Sequence, residues 1–518
     1  MKTELRSGAN VTTAWCALAL AFPWSNAFMS IAIGALALAA LWGWFSPRGE
    51  PSSGPLHPCI SLAGWALIAL VVYSALSSAW SVSPSMAIND ARIKLPLFVG
   101  GMALLLSRKM GGVSLASSRV ILKCAVVSAI VATLAIIGLD LMEGAPFGGR
   151  ASSRFISHIR FGLWWALLLP WVAAALPRVW LWLGVFAAVA TWTWTESLNG
   201  VIAGYVTAAW WGPALWRRGS DVARLVDWPN AKQVGQRLCL LGLVAALISA
   251  GLWRALPTDY PDSSVMMEFS PSGERYVHVK ERRVQENGNF VWVNIAWGEL
   301  AHAWRGRHNA PFDSVQGGLI RFLASKGLTK DREGVAALSA EEVKAIASGI
   351  ASEVEWKQVG WTRRWNRICF NWGNSMDGKT HGDSSILARM TYQSIAWRAI
   401  AEGSWRTLIF GVGTGSDHAV LSSSYDRFVP DWPEAERKRP HNQYFSLVLG
   451  MGILGLLLWL LTLSMGQVSI QAWPGLLLIM LSCLIEDTLE TQAGVTLAVW
   501  AVVFPAFTLR AWGRTKQP

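Results

Sequence analysis

The sequence predicts an all-α polytopic membrane protein, and three observations predict it. Of 518 residues, 53% are hydrophobic and only 15% charged, where a soluble chain carries about 25% charged residues. Mean hydropathy is +0.34. Thirty-two tryptophans far exceed ordinary usage, and such amphipathic rings favour the membrane–water interface. A soluble enzyme, a disordered chain and a coiled coil are thereby excluded.

Apolar runs long enough to cross roughly 30 Å of hydrocarbon fall at 11–22, 28–45, 60–80, 94–107, 118–140, 159–177, 179–196, 198–216, 237–254, 441–464, 468–485 and 494–511. That predicts about twelve spans, all helical, because an open sheet edge has no hydrogen-bond partners in lipid. The first run follows Lys2 and Arg6 in the manner of a signal peptide, but no small-residue cleavage site follows it. Phe22-Pro23-Trp24 leads straight into the next run, so the expectation is a retained span.

Charge sets the expected orientation. With the N-terminus inside, the cytoplasmic connections collect Arg48, Arg108, Lys109, Arg119, Arg178, Arg217, Arg218, Arg224, Lys232 and Arg237. The tail adds Arg510, Arg514 and Lys516, whereas the loop before the last span holds Glu486, Asp487 and Glu490. This is the positive-inside pattern, with both termini cytoplasmic. It also explains the net charge of +12 without invoking nucleic acid. The six cysteines form no CxxC pair and no His/Cys cluster, so neither a disulfide framework nor structural zinc is expected.

One connection is long. The chain divides into 1–254 (spans one to nine), a large outer loop domain at 255–440, and 441–518 (spans ten to twelve with the tail). Residues 255–385 hold 16 basic and 16 acidic residues, a balanced mixture with apolar interludes that folds rather than trails as a tail. Arg275–Ile295 alternates around Asn287-Gly288, a hairpin signal. Leu338–Ala351 opens with Ser339 and Glu342 at capping-box spacing and predicts a helix. Ser384–Ala401 predicts another, ahead of the glycine-rich Gly411–Gly415.

The outer side, where cations are usually scarce, carries an unusual set of them. Arg150, Arg154, His158 and Arg160 lead into span six; Arg437, Lys438 and Arg439 precede Pro440-His441 at span ten. Arg389 and Arg398 lie nine residues apart on one helix and so face opposite ways. Taken singly, each has an ordinary reading: a headgroup contact, a snorkelling side chain or a helix-end histidine. Converging with Glu486 and Glu490 on one cavity, they would suit a pyrophosphate, because arginine's planar fork matches phosphate oxygens. The Gly411–Gly415 stretch lacks the Lys-Ser/Thr of a P-loop. No GxSxG, HExxH or DxD is present, and the last absence argues against a metal-dependent glycosyl transferase. Trp361-Thr362-Arg363-Arg364-Trp365 fits a sugar or headgroup surface better than nucleic acid.

At this point the chain resembles the O-antigen ligase and polymerase superfamily of bacterial inner-membrane glycosyltransferases. His441-Asn442, followed after nine residues by Gly452-Ile453-Leu454-Gly455, resembles the ligases' outer-loop signature. Arg389 with Trp397, then Phe410-Gly411-Val412-Gly413-Thr414-Gly415, resembles the family's Arg…Trp…Gly-x-Gly segment. Glu486 and Glu490 with Gln492 and Gly494 resemble its acidic loop before the last span. The likeness covers about 384–500. Many members begin a span with Ser-Arg-Gly, where this chain has Ser197-Leu198-Asn199-Gly200, so an arginine is missing and its part falls to Arg154 or Arg160.

The resemblance implies a GT-C-like bundle with a periplasmic loop domain between helices nine and ten. It implies transfer of a glycan from undecaprenyl pyrophosphate to lipid A–core at the periplasmic face of the inner membrane, without metal or other cofactor and with inversion. His441, Glu486 and Glu490 would be catalytic; Arg389, Arg154, Arg160, His158, Asn442 and Arg439 would bind pyrophosphate or sugar. His441 would accept the hydroxyl proton or orient the hydroxyl. The same donor with another acceptor gives an O-antigen polymerase or a protein O-oligosaccharyltransferase. A lipid-linked substrate transporter is the reading from a different class, and it would place charges deep in several spans.

Overall fold

In the computed structural model the described residues are 2–45, 58–107, 110, 113–143, 152–218, 231–256, 266–358, 361–376, 385–430, 432, 434–465 and 473–513. Arg150 and the loop cations Arg48, Arg108, Lys109, Arg224, Arg514 and Lys516 lie outside them. The chain divides into two compact units, 1–241 with 391–518, and 242–390.

The first unit is helical. Its apolar runs form α1 (Lys2–Ala21), α2 (Asn26–Phe45), α3 (Pro58–Ser77), α4 (Pro84–Leu106), α5 (Leu115–Met142), α6 (His158–Ala175), α7 (Arg178–Trp194) and α8 (Leu198–Arg218). Helix α9 (Ala231–Arg254) leads into the second unit. The first nine expected runs thus fall on these helices; the start of the run at 468–485 lies outside the described residues. Among the described residues, α2, Pro58–Trp80, α5 and the later helix Gln443–Met465 are long and apolar enough to cross a membrane, and Asn10–Ala21, Gly475–Ile485 and Gln492–Thr508 are shorter apolar helices. The exposed side chains of α2 and α5 include Ile31, Leu38, Phe45 and Leu134, which is the arrangement lipid solvates and water does not.

Tryptophan fills the interior. Trp15 of α1 meets Trp500 edge-on at 5.1 Å, and Phe22 stacks on Trp164 of α6 at 4.2 Å. Where helices pack closest, glycine makes the contact possible: a Cβ on Gly101 of α4 would lie 2.7 Å from the carbonyl oxygen of Gly64 on α3.

The second unit contains the hairpin β1 (Gln285–Glu286) and β2 (Asn289–Phe290), paired antiparallel. Asn287 and Gly288 both have positive φ, 51° and 79°, as the expected two-residue turn requires. Helices α10 (Trp297–Arg305), α11 (Phe312–Ser325), α12 (Arg332–Ala336), α13 (Ala340–Ala347), α14 (Glu353–Lys357) and α15 (Trp361–Met376) follow. Leu300, Trp304, Leu319, Phe322 and Leu323 form their shared core. The Ser339–Glu342 capping box is present, but α13 stops at Ala347 rather than Ala351. Gly349 at φ 93° reverses the chain there, and the Ile350 N–H returns to the Ala345 carbonyl at 3.0 Å, a glycine-closed helix end.

Helix α16 (Ser385–Ala401) brings the chain back into the first unit, followed by α17 (Trp405–Phe410), α18 (Asp417–Phe428), α19 (Gln443–Met465), α20 (Trp473–Ile485) and α21 (Gln492–Gly513). The two glycine motifs meet here. Helix α19 is broken at Gly452 (φ 66°, ψ −172°), and the Gly411–Gly413 segment crosses it there. Val412 and Gly413 N–H groups donate to the Leu449 and Gly450 carbonyls at 2.9 and 3.1 Å. A Cβ on Gly411 would lie 2.3 Å from the Gly450 oxygen, and one on Gly452 2.1 Å from the Ile409 oxygen. The glycines serve backbone-to-backbone packing that fixes the start of α19.

Candidate active site

His441 stands just ahead of α19 in left-handed backbone, φ 49°, a conformation uncommon outside glycine. Two residues of the α20–α21 link hold it. Its N–H donates to Asp487 Oδ2 at 3.0 Å, while Ser446 Oγ, one turn into α19, donates to Asp487 Oδ1 at 2.6 Å. The buried ring nitrogen Nδ1 faces Glu486 Oε2 at 3.4 Å without an aligned hydrogen bond. Tyr392 of α16 packs beside the imidazole, ring centres 5.7 Å apart. Asn442 caps the helix: its Oδ1 accepts from the Tyr444 and Phe445 N–H groups, so its side chain serves α19.

Arg160, near the start of α6, is 4% exposed and reaches the same link. Its Nη2 lies 3.4 Å from the Asp487 carbonyl oxygen and 4.0 Å from Glu486 Oε2, and its Nη1 lies 3.5 Å from Ser482 Oγ. Arg154 is placed differently. Its guanidinium donates to Asp140 and Glu143 at 2.6–2.7 Å. Ser153 Oγ meets His158 Nδ1 at 2.7 Å. Arg154 and His158 thus tie the loop between α5 and α6.

A second cluster adjoins the first through the chain itself. Glu490 Oε2 accepts from Lys94 Nζ at 2.7 Å and from Arg439 Nη1 at 3.0 Å, and its Oε1 accepts from Gln443 at 3.1 Å. Arg439 also reaches Asp90 at 2.5 Å and Asp417 at 3.1 Å, with His418 Nε2 at 3.1 Å from its Nε. Burial works against the Glu490 charge, yet Lys94 and Arg439 hold its carboxyl down at about 2. For Arg439, burial works to lower its pKa, and Glu490, Asp417 and Asp90 more than reverse that. Asp487 differs: burial pushes its carboxyl up, opposed by Ser446 and His441.

The site therefore brings together His441, Glu486, Asp487 and Arg160, with Glu490 and Arg439 locked in a neighbouring ion network. Arg439 donates to Glu490, Asp90 and His418 and pairs with Asp417, so its fork is engaged by protein partners. Arg389 lies on α16, within the second unit, one helical turn before Tyr392. Arg398, at the other end of that helix, sits over the Phe428 ring at 5.0 Å. Sequence reasoning missed Asp90 and Lys94 of α4, Asp417, Gln443 and the part played by Asp487. A signal existed for two of them: Asp90 and Lys94 stand at i,i+4 where an apolar helix begins, and ionisable groups there need partners. Among the described residues no group of three or more His, Cys, Asp and Glu is placed to hold a metal ion.

These features define a mostly helical membrane protein with a histidine set against carboxylates at a helix start. Residues 334–460 match the family model described as O-antigen ligase, which supports placement in the O-antigen ligase and polymerase superfamily. No curated protein matches the chain. The matched segment includes Arg389, both glycine motifs, Arg439 and His441; Arg154, Arg160, Glu486, Asp487 and Glu490 lie outside it.

Proposed function

We propose that the chain is an O-antigen ligase: a twelve-span inner-membrane enzyme, both termini cytoplasmic, that moves a glycan from undecaprenyl pyrophosphate to a sugar hydroxyl of lipid A–core at the periplasmic face. The observation that carries the reading is His441, pinned through its backbone to Asp487 with Nδ1 facing Glu486. In the tautomer that carries its proton on Nδ1, Nε2 is the basic nitrogen, and a neutral imidazole suits general-base work near pH 7. Contacts of this kind are often loose before substrate binds, and the 3.4 Å separation fits that state.

The acceptor oxygen attacks the anomeric carbon as its proton passes to Nε2. The bond from that carbon to the pyrophosphate oxygen breaks, and the leaving group keeps the electron pair. Attack opposite the leaving group inverts the carbon. Cationic donors fixed in advance stabilise the departing charge. Arg160 is favoured for this over Arg154 because it stands beside Glu486 and Asp487, and Arg389 enters on the family likeness. Holding two lipid-anchored substrates together supplies much of the rate.

The test is reconstitution. Purified chain, lipid-linked glycan and lipid A–core should yield glycosylated core in EDTA. A deletion strain should accumulate core-only lipopolysaccharide and lipid-linked glycan. Transfer to protein or to a second glycan chain, with none to core, would replace the ligase reading by one of its sister activities.

A further inference from the structure

The second unit contains a cavity of about 1070 Å³ between α11, α15 and the segment after the hairpin. That is at the upper end of the roughly 300–1,000 Å³ of small-molecule sites. We infer that it is a carbohydrate-binding cleft that holds a short stretch of neutral glycan; that the glycan belongs to the transferred substrate rests on the ligase reading.

Three features converge. First, the cleft holds hydrogen-bonding atoms of both polarities that the protein leaves unused. Asn374 is 7% exposed and lines the cavity, yet its Oδ1 has no partner among the described residues. The buried Nε1–H of Trp292, also in the lining, has none either. A buried acceptor or donor left unmade costs about 1–3 kcal/mol, and a hydroxyl satisfies either kind. Both atoms are covered in the unliganded protein, so ligand entry requires side-chain rotation.

Second, the arginines of the lining are already engaged. Arg321 donates to Glu286 and Glu355 at 2.7 and 2.6 Å and lies 3.8 Å over Phe370. Arg367 pairs with Glu355 at 3.1 Å, and Arg282 stacks 4.2 Å over Trp292. With that charge balanced, a polyanion gains little. Trp297, half-buried in the lining, offers an aromatic face of the kind that meets the C–H face of a sugar ring.

Third, Gly317 sits in the middle of α11, where glycine costs about 1 kcal/mol against alanine. A Cβ there would meet nothing within 4 Å. No protein atom demands glycine at this lining position; an incoming ligand that approaches the backbone does.

The experiment uses the full chain in detergent and O-polysaccharide fragments released by mild acid from the source bacterium, titrated by calorimetry and by saturation-transfer NMR. Pyrophosphate is the anionic comparison. The wild type should bind the fragments saturably, and Gly317→Trp, which plugs the cleft from an open position, should raise Kd at least tenfold. Gly317→Ala, a smaller intrusion on the same backbone approach, should weaken binding by less than Gly317→Trp does, and neither variant should melt below the wild type. Equal binding by Gly317→Trp, absence of saturable binding, or competition by pyrophosphate would each overturn the cleft. Transfer without fragment binding would sink the cleft and leave the ligase reading standing; binding without transfer would do the reverse.

Discussion

Asp487 accepts the backbone N–H of His441 on one carboxylate oxygen and the Ser446 hydroxyl on the other, at 3.0 and 2.6 Å. One side chain of the α20–α21 link thereby sets both the strained backbone of His441 and the first turn of α19. The imidazole's direction follows from that hold, and Glu486, the preceding residue, is delivered to Nδ1 by the same link.

Asp487 is therefore a positioning residue. Asp487→Asn keeps an acceptor for the His441 N–H and offers its NH₂ to the Ser446 oxygen, and it mimics the neutral form toward which burial pushes the native carboxyl. It should keep transfer within about tenfold. Asp487→Ala leaves a buried N–H unmade, at about 1–3 kcal/mol, and should lose at least tenfold more. The readout is kcat against KM: a positioning role lowers kcat with donor KM nearly kept. Equal kcat in the Ala and Asn variants would defeat it.

Arg439 should act on folding instead of substrate. Arg439→Ala strands Asp90, Asp417 and Glu490 around an absent cation, and breaking buried pairs of this kind costs about 3–5 kcal/mol. Its melting temperature in detergent should fall sharply and its yield with it, while Arg439→Lys recovers part of both. A well-folded Arg439→Ala protein with raised donor KM would return Arg439 to the pyrophosphate.

Acid should expose the same network. The Glu490 carboxyl lies at about 2 in the folded chain, against about 4.3 when unfolded. The folded state thus binds fewer protons, so this stabilisation is complete above the unfolded value and fades as pH falls from about 4 towards 2. Asp487, raised by burial, acts in the opposite sense, so the informative quantity is the difference between wild type and Glu490→Gln. That difference in melting temperature should shrink steadily across this window. A constant difference would show that Glu490 does not titrate as its partners require.

How far the sequence carried these features depends on the range of the interaction. The helices, the Asn287-Gly288 turn and the Ser339 cap were legible because each is decided within a few residues. His441, Glu486 and Glu490 were legible as types of residue in a pattern. Their division of labour was not, because Lys94 meets Glu490 across 396 positions of sequence. Arg439 read as a phosphate ligand for the same reason: its three carboxylates come from α4, α18 and the last link. Gly411–Gly415 looked like a loop signature, and only tertiary packing gives the glycines a purpose: Gly411 lies against α19, Gly413 against Ser77 and Ser81, and Gly415 against Ala87 of α4.

The two arginines before span six separate cleanly by substitution. Arg154 pairs with Asp140 and Glu143 at the end of α5, so Arg154→Ala should cost stability while transfer by the folded fraction persists. Arg160→Ala, beside Glu486 and Asp487, should lose transfer by at least tenfold, and Arg160→Lys should stay poor because a point charge does not reproduce a planar fork. Single-turnover transfer per folded molecule is the measurement. Arg154 essential and Arg160 dispensable would reverse the assignment.

His441 offers the decisive substitution because of its backbone. At φ 49°, alanine is strained and asparagine is not, since asparagine visits left-handed geometry readily. His441→Asn should therefore fold as wild type, keep the N–H donated to Asp487, and lose only the imidazole. If that ring takes the acceptor's proton, transfer should fall by roughly the 10²–10⁴-fold typical of one acid–base group, with donor binding retained. The remaining activity should rise with hydroxide concentration, which can take the proton in the ring's place. A histidine kept merely for its backbone would give the opposite result, with His441→Asn active and His441→Ala impaired through folding. Near-normal transfer by a folded His441→Asn protein would remove the base from the mechanism, and cysteine labelling of position 441 from the cytoplasmic side would remove the site from the periplasm.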